Sequence, residues 1–183
     1  MWSVWFWAFL CYSGMGFLLE ITFARLIGHP KRDRKCHLLL PVCPVYGLGA
    51  LAILALPSWI RSSPVLLYLA GAGVATAAEW IMWGVYHRAA GVDFWDYTGL
   101  PGSVKGRVCL PFSLAWGVLA LPLVLWVHPR LMPLFALPSP AVTAAAVVIY
   151  ILDAAASFSR LRRFGTQGLR WYDKAPILRR AAS

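Results

Sequence analysis

Acidic residues are few in this chain: Glu20, Asp33, Glu79, Asp93, Asp96, Asp153 and Asp173 complete the set. Charged residues are 13% of the 183, against about 25% in soluble domains. Long apolar blocks replace them, with 60% hydrophobic residues and mean hydropathy +0.66. An ordinary soluble domain is therefore excluded in favour of a polytopic membrane protein. Cysteine is also sparse. Cys11, Cys36, Cys43 and Cys109 form no CxxC pair, which argues against a disulfide scaffold. Cys36, His37 and Cys43 with His29 lack a zinc-ligand framework, so no metal site is expected. His87 and His128 lie near span ends, and no haem or other cofactor is expected. The chain has no GxxxxGK[ST] loop, so it does not hydrolyse ATP through a P-loop of its own. GxSxG, HExxH and a Gly-rich dinucleotide turn are missing too, as are internal repeats and low-complexity stretches. MWSVWFWAFL has no basic n-region, so it is expected to be a retained first span and not a signal peptide.

Basic residues are plentiful, giving a net charge of +10. They are dispersed between apolar runs, a pattern that suits membrane topology and anionic-lipid contact and not nucleic acid. The expected fold class is all-α. A single transmembrane bundle over 1–158 has about five spans, at 2–26, 38–60, 65–86, 108–127 and 139–158. Prolines and glycines interrupt the second run at Pro41, Pro44, Gly47, Gly49 and Pro57, which membrane helices tolerate where neighbours satisfy the freed backbone groups. A basic tail, 159–183, interleaves Phe164, Leu169, Trp171 and Ile177. It suits either an amphipathic segment on anionic lipid or a solvated tail. With five spans, fifteen of the seventeen Lys and Arg residues fall on one side, leaving Arg61 and Arg130 on the other. The positive-inside rule then places the N-terminus outside and the C-terminus in the cytoplasm, in a bacterial-type inner membrane.

That topology gathers polar groups at one depth. Glu20, Glu79 and Asp153 would lie roughly 6–12 Å from the inner interface at 1.5 Å per residue. The second and fourth spans bring Pro41, Cys43, Pro44 and Tyr46, with Arg107, Cys109 and Ser113, to the same level. An ionisable group at a span's centre costs about 2.5–3.5 kcal/mol on insertion scales, so these groups should face one another or a wet cavity. Arg107 is the expected partner of Glu20 or Glu79, because its planar fork can hold a carboxylate bidentately. Asp153 is a secondary candidate, followed by Ser157 at i+4 and Arg160 at i+7. Two readings stand: an ion-pair network that orients helices, or a binding or proton-carrying cavity. The loop acids Asp93 and Asp96, with Phe94, Trp95 and Tyr97, suit either a cap on that cavity or an interfacial turn.

PVCPVYGLGA (41–50), WDY (95–97) and GRVCLPFSLAWG (106–117) resemble the CmpB-like family of type IV ABC-transporter permeases. Glu20 after GFLL and Glu79 before WIMW match that family's acidic positions, and the resemblance covers about residues 5–130. It picks out Glu20, Pro41, Cys43, Pro44, Tyr46, Gly47, Glu79, Trp95, Asp96, Tyr97, Gly106, Arg107, Pro111, Phe112 and Trp116. Leu40 stands where a glycine is expected, Ser103 where an asparagine often precedes the GR, and His87 where a second acid is expected. These departures bear on a shared substrate more than on the fold. The resemblance implies a permease subunit with a pocket of Glu20, Tyr46, Glu79 and Arg107. It also implies an ATPase on a separate chain, docked on the 87–105 loop, and a homo-oligomer, since five spans are few for a transport path. Two alternatives come from other classes. One is a small intramembrane enzyme acting on lipid or isoprenoid headgroups, with the acids as general acid and base. The other is a non-catalytic assembly protein.

Overall fold

The computed structural model describes residues 2–26 and 36–169. Lys31, Arg32, Arg34 and Lys35 of the first basic loop lie outside the described residues, as does the tail from Arg170 onward. The architecture is an all-α bundle without strands among the described residues. Among the described residues, four helices are long and apolar enough to cross a membrane: Trp2–Leu26, Pro64–Ala90, Leu110–Phe135 and Pro140–Leu169.

Helix α1 (Trp2–Leu26) is about 37 Å long at 1.5 Å per residue, more than the ~30 Å hydrocarbon layer. The second apolar run differs from the 38–60 helix expected. Helix α2 (Pro44–Leu54) occupies only its middle and begins at Pro44, whose missing N–H costs nothing at a first helical position. Before it, 36–43 is irregular; after it, α3 (Ser58–Arg61) is a single turn. Irregular backbone at membrane depth is tolerated only inside protein. Cys36, His37, Val42 and Cys43 are buried while Leu39 and Pro41 are exposed, and Cys43 N–H donates to the Ser13 carbonyl of α1 (2.9 Å).

Helix α4 (Pro64–Ala90) starts at a proline and ends at Gly91, whose φ of +68° is the left-handed cap that glycine adopts without strain. Helices α5 (Leu110–Pro122) and α6 (His128–Phe135) are joined by a π-helical stretch, Leu123–Val127. Pro122, Pro129 and Pro133 remove three backbone donors from this helix, and the widened turn lies between the first two. The helix thus runs beyond the expected 127 boundary to Phe135, which is buried against Tyr12 (ring centroids 5.8 Å). Helix α7 (Pro140–Phe164) is capped by Ser139, whose hydroxyl accepts from Val142 N–H, and continues as a 3-10 turn, Gly165–Leu169.

Helix α2 is wedged between α1 and α4, and α5 packs on α4. Its partners on α1 run backwards, from Tyr46 against Gly16 to Ala50 and Leu54 against Ala8, so α1 and α2 are antiparallel. Close approach requires glycine at the crossings. A Cβ on Gly117 would come within 2.8 Å of the Tyr68 carbonyl oxygen, and one on Gly47 would overlap Ser13. Ile53, Leu67, Ala75, Trp116 and Ala120 fill the α2–α4–α5 core.

Candidate functional site

The bundle brings Glu20 of α1 and Glu79 of α4 to a common cavity. Glu79 is 5% exposed and accepts hydrogen bonds from Tyr97 Oη (2.8 Å) and Trp116 Nε1 (3.3 Å). Glu20 accepts one from Tyr46 Oη. Tyr46 and Trp116 pack ring to ring with centroids 5.1 Å apart, and so link the two carboxylates through aromatic side chains. Two adjoining spaces, of about 40 and 110 Å³, are each lined by Glu20, Tyr46, Glu79, Tyr97 and Trp116. Either has room for water-sized molecules. Cys43 lines the smaller, on the side of Cys36, with the two sulfurs 3.4 Å apart. Phe112 lines the larger.

The 91–109 loop places Tyr97 over this cavity. Trp95 Nε1 donates to the Arg107 carbonyl (2.8 Å), and Tyr97 N–H donates to the Gly106 carbonyl (2.8 Å), so WDY is bound to GR. Asp96 Oδ1 accepts from both the N–H and the hydroxyl of Thr98, a tight turn against which Gly106 lies. Gly106 has φ +69°, and a Cβ there would overlap Asp96 Oδ1. Pro111 opens α5 within its first turn, and Phe112 stacks on Tyr97 with centroids 4.8 Å apart. The motif residues therefore position the phenol that Glu79 accepts from. On the second run Pro44 starts α2, Gly47 lets it approach α1, and Tyr46 reaches Glu20. Pro41 is exposed within the irregular 36–43 segment.

Two expected roles differ. Arg107 forms no ion pair with Glu20 or Glu79 among the described residues. Its guanidinium lies over the rings of Trp80 (4.7 Å) and Trp83 (4.2 Å), in two cation–π contacts. The loop that threads Tyr97 to Glu79 turns at Gly106 and leaves the Arg107 side chain on the Trp80–Trp83 surface instead. Trp80 and Trp83 are the two tryptophans of the WIMW run that follows Glu79, and no sequence signal marks them as the seat of Arg107.

Asp153 does not join the cavity either. It is 3% exposed and accepts from Leu39 N–H (2.9 Å) and Leu40 N–H (3.0 Å), with His37 Nδ1 at 3.1 Å. Ser157 Oγ accepts from Leu38 N–H (2.8 Å) and donates to the Asp153 carbonyl. Asp153 and Ser157 thus supply acceptors to the backbone donors that the irregular segment frees. Asp93 bonds His87 Nδ1 (2.8 Å) at the surface, and His87 stacks on Trp83.

No curated protein and no solved structure matches the chain. A family match extends over residues 7–158, past the 5–130 of the motifs, so that α7 up to Phe158 and its Asp153 fall within the family region. With the apolar helices, this supports an integral membrane component of transport. The chain belongs to the family described as "Putative ABC-transporter type IV".

Proposed function

We propose that the protein is the membrane-spanning permease subunit of an ABC-type transport complex, with the Glu20–Glu79 cavity opening towards the cytoplasm. One observation carries this reading. Two carboxylates from different helices line one cavity between long apolar helices, each held by a phenol from another segment. Such groups are costly in a membrane and characteristically line pathways for ions or polar substrates. The loop-bearing end of α4 carries Arg88, Lys105 and Arg107, and the other end carries Arg61, which supports a cytoplasmic position for the loop. The ATPase belongs to a separate chain, and the 87–105 segment, the last turn of α4 with the loop after it, is its docking surface. Spaces of 40 and 110 Å³ suit protons, water and small ions, so a larger substrate requires a second copy of the chain to complete the path. The enzyme alternative needs Arg107 beside the acids, whereas Arg107 stacks on Trp80 and Trp83.

The test is affinity purification of the tagged chain from its native membrane in gentle detergent, followed by ATP hydrolysis in nanodiscs. Recovery of a P-loop ATPase is expected. Glu79→Gln should retain that partner and lower coupled turnover about tenfold, equivalent to ~1.4 kcal/mol. Repeated recovery without any nucleotide-hydrolysing chain overturns the permease reading. An unchanged turnover in Glu79→Gln and Glu20→Gln removes the cavity from the path.

A further inference from the structure

A groove on the outer face of α4 is lined by Trp80, Ile81, Gly84, Val85, Arg88 and Arg107, with a volume of about 430 Å³. Its floor is apolar, and Ile81 (61% exposed) and Val85 (40%) face the surroundings of the bundle. Two guanidiniums from separate segments close it: Arg88 on α4 and Arg107 from the loop. A third, Arg162 of α7, donates to the Ala89 carbonyl at the same end. No acid lines the groove.

Arg107 has a further peculiarity. Its guanidinium is level with Trp80 and Trp83, about 10–15 Å along the helix from Ala90, at 1.5 Å per residue. Its Nε is buried and donates to no group among the described residues. A cation at that depth, lying over two indole rings and paired with no carboxylate among the described residues, is suited to an anion from outside the protein. A Cβ built on Gly84 meets nothing within 4 Å, so the helix surface there is open.

We propose that this groove binds one anionic phospholipid. The headgroup phosphate lies between Arg88 and Arg107, and an acyl chain lies along Ile81, Gly84 and Val85. Arginine suits this role because its planar donors match phosphate oxygens. The long apolar floor favours a lipid over free phosphate. The inference does not depend on which way the bundle crosses the membrane, because the groove ends at the polar loop in either orientation. It is also independent of the transport reading.

Native mass spectrometry of the detergent-purified chain tests it, after incubation with phosphatidylglycerol, phosphatidylcholine or inorganic phosphate. The intact protein should retain one phosphatidylglycerol. Arg88→Gln, which breaks no hydrogen bond among the described residues, should weaken retention about tenfold through loss of one charge-assisted contact. Gly84→Leu should abolish retention by filling the groove. Each variant is compared with the parent for its unfolding midpoint without added lipid, which should be unchanged. Equal retention of phosphatidylcholine overturns the charge argument. Displacement of the lipid by millimolar phosphate shows a phosphate site and not a lipid site. Undiminished retention in Gly84→Leu, at an unchanged midpoint, places the lipid elsewhere and overturns the proposal.

Discussion

Replacing Asp153 by alanine removes the acceptor on which the irregular 36–43 segment depends. Leu39 and Leu40 donate backbone N–H groups to its two oxygens, at 2.9 and 3.0 Å, in a place where only 3% of Asp153 is exposed. Leaving a buried donor unsatisfied costs about 1–3 kcal/mol, so two stranded N–H groups give about 2–6 kcal/mol, before loss of the His37 contact. A domain is stable by only about 5–15 kcal/mol, and Asp153→Ala should therefore remove much of the margin. Asp153→Asn discriminates further. It keeps the shape and one acceptor oxygen but turns an NH₂ towards the other donor, so one N–H is lost and the cost is about 1–3 kcal/mol. Denaturant unfolding in detergent reads the stability. Maleimide labelling of Cys36 and Cys43, which are 4% and 6% exposed, reads the local opening. Both variants should label faster than the parent, alanine more than asparagine. If Asp153→Ala stays within about 0.5 kcal/mol of the parent, the size of a neutral surface change, and the cysteines stay protected, the segment is held by something else.

Gly16→Ala should drive a methyl group into the Tyr46 ring and displace its hydroxyl from Glu20. Overpacking of this kind costs about 1–3 kcal/mol, measured as a lowered unfolding midpoint. Gly73→Ala, where a Cβ meets nothing within 4 Å, is the control and should stay within about 0.5 kcal/mol. Gly106→Ala combines a left-handed φ of +69° with overlap on Asp96 and Thr98. The backbone penalty alone is about 1–2 kcal/mol. Trypsin should then cut sooner after Lys105, an exposed residue of the same turn, and an unchanged cleavage rate would show that the turn tolerates a side chain.

Much of the architecture was legible because it is set by local rules. Runs of apolar residues longer than the hydrocarbon layer make helices whatever their neighbours, and prolines at 44, 64, 111 and 140 mark the starts of α2, α4, α5 and α7. The motifs were legible as a group for a similar reason. Gly106, Trp95 and Tyr97 make short-range turns and bonds whose residue types are demanding, and those types stand out against a bland apolar background.

Partner choice was not legible. Opposite charges at one depth suggest a bond, yet Glu79 accepts from Tyr97 and Trp116, and the Arg107 guanidinium lies over two indoles. The break before α2 escaped as well, because Leu38, Leu39 and Leu40 are as apolar as any helix. What allows them to remain unwound is Asp153, more than 110 residues away in sequence.

The sequence by itself determined that this is an apolar helical bundle, and the family to which it belongs. Composition, run length and motif order need no knowledge of contacts. Only the tertiary structure decided which groups each charge meets: a phenol and an indole for Glu79, two indoles for Arg107, and backbone donors with His37 for Asp153. The reason is physical. Hydrophobic patterning acts along the chain, whereas hydrogen bonds and cation–π contacts act over a few ångströms between segments whose relative rotation is set by packing.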